Sequence, residues 1–406
     1  MSAAERLIRY CRIDTQSDPA SDTSPSTEKQ FDLARLLVKE LKEIGAEDAQ
    51  LDEYCYVYAH IDANTERPCP TVGFIAHMDT APDFTGTGVS PRIIYDYDGG
   101  DIRLNDTIVT KTENFPQLKE LKGKTLMVTD GNTLLGADDK AGITAIMEAL
   151  CILKDHPEIP HGRIAVAFTP DEEIGRGTEH FNFECFGADF AYTMDGGALR
   201  YYADETFNAA AAQVTFHGFG VHPGSAKDRL VNALNVAMEF HALLPAHMRP
   251  EHTEGREGFI HLHGMSGNSE EAHLEYIVRE HDKEKFAGLK KRMEDALAYI
   301  RTVYGEQTAE LKITDSYCNM KEYLNERPDV MNYALKAYRA IGIDAECEPV
   351  RGGTDGAMLS AKGLPCPNLG TGGGNFHGRY EYCCLEELEQ AADLITEIAR
   401  AVTEGE

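Results

Sequence analysis

Residues 72–83 read VGFIAHMDTAPD, an apolar run that stops at His77 and Asp79. In an extended chain, residues i and i+2 point to the same side, so this imidazole and carboxylate share one face at a strand tip. A carboxylate that accepts one imidazole N–H leaves the other ring nitrogen free to bind a metal. Alone, the pair is also what a solvated strand end looks like.

Four further stretches carry ligand-type side chains: Gly136-Ala137-Asp138-Asp139-Lys140, Thr169-Pro170-Asp171-Glu172-Glu173, Met194-Asp195-Gly196-Gly197 and Asn375-Phe376-His377-Gly378. Each has a plain reading: a helix N-cap for the Asp pair, a solvated acidic turn for the Asp-Glu-Glu run, a glycine turn after Asp195, and a polar loop for His377. What those readings do not predict is that most of the stretches follow an apolar strand or open a helix. In an open α/β sheet, ligands bind beyond the carboxyl ends of the strands. His77, Asp138, Glu173, Asp195 and His377 would there supply two imidazoles and three carboxylates, a donor set for Zn²⁺, Co²⁺ or Mn²⁺. Five ligands are too many for one four-coordinate zinc, but they suit two metals about 3.5–4 Å apart that share one carboxylate. Glu172 is then left over, and a non-ligating carboxylate beside a metal-activated water is a general base.

The elements that must position these groups alternate. Phe31, Ala34, Leu37, Val38, Leu41 and Ile44 recur at helical spacing over 28–44, with Gly45 as the stop. Strands are expected at 51–61, 71–77, 164–168 and 190–194, a helix at 141–154, and a loop-rich insertion at 83–115. This half is α/β with a largely parallel sheet. From 206 the order becomes strand 207–217, helix 228–244, strands 258–264 and 272–280, helix 283–303 and strand 309–316. That is the β-α-β-β-α-β order of a ferredoxin-like unit. Helix 329–341, strand 345–349 and helix 386–402 resume the first style. The expected architecture is a domain of residues 1–205 and 318–406, interrupted by a smaller one of 206–317.

Composition excludes several functions. Against 39 Lys and Arg stand 68 Asp and Glu, a formal charge of −29. Such a chain is repelled by nucleic acid and by anionic membrane surfaces. No apolar run reaches the roughly 18–20 residues that span a bilayer. The stretch MSAAERLIRYCRIDTQS lacks a signal-peptide core and reads as a short amphipathic helix. Ten Cys without a CxxC pair point to free thiols in a reducing cytosol. A homodimer through a sheet edge of the inserted domain stays open.

The stretches 73–82, 134–142, 168–175, 192–197, 221–226, 351–356 and 369–378 together resemble the cocatalytic-zinc peptidase family that includes carboxypeptidase G and aminoacylase. The likeness runs along essentially the whole chain. TPDEE with GADDKAG at this spacing is specific to the family, and VHPGSAK and RGGTDG narrow it toward tripeptide aminopeptidases. The resemblance implies a zinc-peptidase α/β domain with a ferredoxin-like α+β lid, two zinc ions per subunit (or Co or Mn), and release of the N-terminal residue of tripeptides. It implies His77 and Asp195 on one zinc, Glu173 and His377 on the other, and Asp138 bridging, because the family motif D-x-K places its first Asp on the metals. It assigns Asp79 to orient His77, and Glu172 to accept and return the proton. It implies that His222 polarises the scissile carbonyl, and Arg351, with Arg279 as the weaker candidate, would clamp the substrate carboxylate. His261 and His263 have metal-like spacing but fall within a sheet of the inserted domain. Residues 371–375 (TGGGN) lack the Gly-Lys of a phosphate loop. Two rivals stand: an N-acyl amino acid hydrolase or carboxypeptidase with the same metals, and a non-catalytic binding protein with a vestigial site.

Overall fold

The fold is taken from a computed structural model that describes residues 1–405. The chain forms two compact units: Met1–Asp204, Met320–Glu348 and the chain from Thr354 make the first; Glu205–Asn319 with Pro349–Gly353 make the second.

The first unit is built on an eight-stranded mixed sheet. Its order is Gln50–Leu51, Val57–Ile61, Ile164–Thr169, Val72–His77, Phe190–Gly196, Asn368–Gly370, Tyr201–Ala203 and Glu346–Cys347. Val72–His77 runs parallel to both Ile164–Thr169 and Phe190–Gly196, and Asn368–Gly370 runs parallel to Phe190–Gly196. The central strands are buried throughout Val72–His77 and Ile164–Thr169, as expected for strands covered on both faces. Parallel pairing has a direct consequence: four consecutive strands release their carboxyl ends on one edge, and the acidic and histidine stretches follow there.

The helix Ala137–Asp155 is apolar on nearly all sides and buried, and it packs on the central strands and on the helix Leu385–Glu404. Gly142 allows the closest approach. A methyl group there would lie 1.9 Å from the Met194 carbonyl oxygen, inside any van der Waals contact.

Two expectations change within the first unit. The strand expected over 51–61 is broken. Asp52 accepts N–H groups from Tyr54 and Tyr56 and Cys55 adopts φ +73°, so residues 52–56 form a turn between Gln50–Leu51 and Val57–Ile61. The 83–115 insertion is more ordered than a loop. It holds the strands Arg92–Ile94, Ile102–Arg103 and Val109–Thr110, with a core of Tyr97, Ile102, Leu104, Leu118 and Tyr382. Arg92–Ile94 joins a second sheet through Leu126–Val128, Tyr382–Cys384 and Gly373–Gly374.

The second unit has an antiparallel sheet ordered Phe259–Gly267, Glu271–Glu280, Asn208–His217, Ala309–Tyr317. Its two helices, Ala233–Leu243 and Lys283–Tyr304, share a core with the sheet around Phe216, Phe240, Tyr276, Met293 and Ile300. The first of these helices is shorter than the expected 228–244, because Val231 pairs with Phe219 and Asn232 caps the helix at Ala233. Pro349–Gly353 joins this unit from a distant part of the sequence. Val350 bridges Thr206, and Arg351 binds the 253–257 loop.

All ten cysteines are free thiols. Among the described residues no helix is long and apolar enough to cross a membrane.

Candidate metal centre

His77 is the last residue of its strand, and Asp195 is the last but one of the neighbouring parallel strand. Glu172 and Glu173 follow the carboxyl end of Ile164–Thr169 in a single 3-10 turn. Asp138 lies in the irregular first turn of the helix Ala137–Asp155, and His377 lies in the loop after Asn368–Gly370. These six side chains come together inside the first unit.

His77 Nε2 is 2.9 Å from Asp138 Oδ1 and 3.6 Å from Asp195 Oδ1. His377 Nε2 is 3.0 Å from Glu173 Oε2 and 3.4 Å from Asp138 Oδ2. Asp138 thus turns one oxygen to each imidazole, the disposition of a carboxylate shared between two centres. Ligand atoms of His77, Asp138 and Glu173 lie within 4.8 Å of one another, as do those of His77, Glu172 and Asp195. Glu172 is therefore within reach of the same centre as Asp195.

Four carboxylates crowd two imidazoles here, and each perturbs the others. Burial pushes Glu173 up to about 7, helped by the charge of Asp138; burial also raises Asp195, and it raises Glu172 well above the usual range. The Asp138 and Glu173 carboxylates push His377 up to about 11. His77 rises too: burial opposes its charge but Asp138, Asp195 and Asp79 outweigh it. Asp138 is held below the usual range because the two imidazoles outweigh its burial. The buried Glu173 Oε1 has no hydrogen-bond partner. A donor set of oxygen and nitrogen with surplus negative charge and an unsatisfied buried oxygen fits divalent cations such as zinc, cobalt or manganese.

The supporting contacts refine the sequence reading. Asp79 does lie beside His77, but the nearest acceptor for His77 Nδ1 is the Asp79 carbonyl oxygen at 3.0 Å, with the carboxylate at 3.4 Å. A carbonyl can only accept, so Nδ1 carries a hydrogen and Nε2, which faces Asp138 and Asp195, is the nitrogen that could ligate a metal. The Asp79 carboxylate accepts the backbone N–H groups of Glu172 at 2.9 Å and Glu173 at 3.2 Å. It thus fixes the acidic turn more than the imidazole. Asp139 faces away from the two imidazole tips and accepts the N–H groups of His77 and Gly142, both at 3.2 Å, tying the strand to the helix.

Other carboxylates had not been singled out. Asp83 is exposed, with an oxygen 3.6 Å from His377 Nδ1. Buried Asp355 accepts from the Thr169 hydroxyl at 2.8 Å. Buried Glu381 accepts from the backbone before Asp138. Asp355 stood inside RGGTDG and Asp83 at the end of the first quoted stretch, but spacing gave no signal for Glu381. His377 and Asn375 have left-handed backbones, φ +63° and +56°, uncommon away from glycine. Gln117, just after the insertion, donates to Asn375 at 2.7 Å and helps to hold that loop.

The three candidate substrate residues all belong to the second unit. His222 is exposed, and its Nδ1 accepts the Gly224 N–H at 3.1 Å, leaving Nε2 available. Arg351 is engaged: it donates to the carbonyls of Gly255 and Glu257 and to the Thr253 hydroxyl, and lies over the Phe207 ring. Arg279 donates through Nη1 to the carbonyls of Ala210 and Val278, with its guanidinium over Tyr317. Both guanidinium groups are thus held by partners of their own unit, Arg351 by more of them than Arg279. His261 and His263 lie in the strand Phe259–Gly267, their ring centroids 6.3 Å apart, and neither belongs to a metal-ligating group among the described residues.

Residues 127–401 match the peptidase family M20/M25/M40. A Peptidase T of Geobacillus thermodenitrificans is 52% identical over 398 residues, covering 98% of this chain and 97% of the relative. The fold is similar to that of an aminopeptidase, PepT, from Bacillus cereus, with a TM-score of 0.78 at 22% identity over 98% of both chains. It is equally similar to a tripeptidase from Staphylococcus aureus, TM-score 0.78 at 23% identity, covering 99% of this chain and 98% of that one.

Proposed function

This chain belongs to peptidase family M20/M25/M40, and on that premise we propose that it is a metallo-aminopeptidase releasing the N-terminal residue of tripeptides. The observation that carries the chemistry is Asp138, with one oxygen toward His77 and the other toward His377, flanked by Glu173 and Asp195. His77 and Asp195 would hold one divalent cation, Glu173 and His377 a second, with Asp138 shared. When bound, such a pair acidifies a water and polarises the scissile carbonyl.

Glu172 performs the proton work. Burial and the charge of Asp195 raise its affinity for a proton, so it can take one from the attacking water and return it to the departing amine. Its backbone is fixed by Asp79, which limits the carboxylate's wandering. His222 Nε2 is suited to hydrogen-bond a developing oxyanion. Arg279 is suited to receive the C-terminal carboxylate, and reading both ends of the substrate is what restricts length. The second unit would act as a lid that closes to exclude water. The composition and the absence of a membrane-crossing helix among the described residues support a cytosolic location. The full set of acid and imidazole groups, together with Glu172, disfavours a vestigial binding protein.

The test is a length series. With di-, tri- and tetrapeptides of one residue type, kcat/KM should be highest for the tripeptide, by at least about tenfold, which is 1.4 kcal/mol of discrimination. Arg279→Ala should erase that preference mainly through KM. Equal rates on all three lengths would contradict the two-ended reading.

A further inference from the structure

Glu381 opens the strand Tyr382–Cys384, four residues beyond His377, and is 1% exposed. Among the described residues its carboxylate forms no ion pair, and its partners are backbone groups. It accepts backbone N–H groups from a segment some 245 residues earlier: Leu135 at 2.7 Å and Gly136 at 2.8 Å on Oε2, and Asp138 at 3.0 Å on Oε1. Three buried N–H donors converging on one carboxylate form an anion-binding nest, and without it each would be left unsatisfied. Gly136 makes the nest possible with φ +82°, a conformation that other residues adopt at a cost.

The third donor belongs to Asp138 itself. The loop that carries Glu381 also carries His377, whose Nε2 lies 3.4 Å from Asp138 Oδ2. One side chain therefore links the backbone of the shared carboxylate to the loop of one imidazole. A loose Asp138 would still fold but would not span two centres reproducibly, because metal geometry tolerates displacements of only a few tenths of an ångström.

We propose that Glu381 is a positioning residue, a strut that fixes Asp138 relative to His377 so that its two carboxylate oxygens serve both metal positions. The inference rests on the dinuclear reading above. It extends that reading to a residue that touches neither metal nor substrate.

The test uses the full chain, stripped of metal with a chelator and titrated with zinc by calorimetry. Thermal midpoints of the stripped protein are measured alongside, with kcat and KM on a tripeptide. Glu381→Gln keeps the shape but turns an amide N–H₂ toward backbone donors. Glu381→Asp keeps the charge but is too short to reach all three. Glu381→Gln should weaken zinc binding 10- to 100-fold and lower kcat with KM unchanged, and Glu381→Asp should recover part of both. Should Glu381→Gln fail to fold, a Glu381→Asp protein whose zinc affinity equals that of wild type overturns the proposal. A lowered midpoint with unchanged zinc affinity and unchanged kcat would make Glu381 merely structural and overturn it. Wild-type protein that takes up no zinc would overturn the dinuclear reading along with it, whereas zinc uptake equal in wild type and variant would overturn the strut alone.

Discussion

At the scale of single residues, the site divides into groups that would hold charge and one that would move a proton. Glu172→Gln should lower kcat by 10² to 10⁴ while bound metal stays at the wild-type level, because the amide cannot accept the proton. Elemental analysis of the variant beside its steady-state kinetics checks this, and loss of metal with activity would instead make Glu172 a ligand. Asp79→Ala should weaken metal binding about tenfold, since the backbone N–H groups of Glu172 and Glu173 lose the carboxylate that accepts them both. An isothermal zinc titration decides it. Most of this was legible because acid and imidazole types at strand ends are rare enough to notice. What was not legible was the direction of each hydrogen bond. The sequence shows Asp79 two residues from His77, but not that the carbonyl lies nearer than the carboxylate, nor that the carboxylate grips the acidic turn. Arg351 is of the same kind: glycines beside an arginine fit a ligand clamp and a loop anchor equally well, and its bonds to the 253–257 loop are not written in the spacing.

At the scale of elements, the geometry depends on how closely the helix Ala137–Asp155 packs against the strand Phe190–Gly196. Gly142→Ala should destabilise the fold by about 3 kcal/mol, because the new methyl group meets the Met194 backbone, which cannot swing aside as a side chain could. Urea unfolding at unchanged m-value gives the number, and a loss below about 0.5 kcal/mol would show that the helix can shift freely. The displaced Met194 would carry Asp195 with it, so zinc affinity should fall in the same variant. Periodicity exposed the long elements here, such as Gln30–Ile44 and Lys283–Tyr304, since many residues share one face. It missed the strands of the insertion, which are two or three residues long and offer no period to detect. Their order comes from a small core shared with Tyr382 and from the pairing of Arg92–Ile94 with Leu126–Val128, contacts distant in sequence.

At the scale of the molecule, a net charge of −29 is concentrated into a fold whose first unit already gathers four half-buried carboxylates. Divalent cations would relieve that repulsion, so removing them should weaken the first unit specifically. Calorimetry with excess chelator should lower its transition by at least a few degrees, in line with the several kcal/mol that tight binding to the native state adds. The transition of Glu205–Asn319, which holds none of the proposed ligands, should not move. The division into two units was visible in the change of strand and helix order near residue 206, but the return of Pro349–Gly353 to the second unit was not, because it depends on contacts of Val350 and Arg351 that no local pattern announces. The most direct measurement is product analysis by mass spectrometry of a tripeptide, its N-acetylated form and the matching dipeptide, each with and without chelator. Chelator-sensitive release of only the N-terminal residue, from the free tripeptide alone, is the predicted result. Cleavage of the acetylated compound, or release that survives metal removal, would contradict the account.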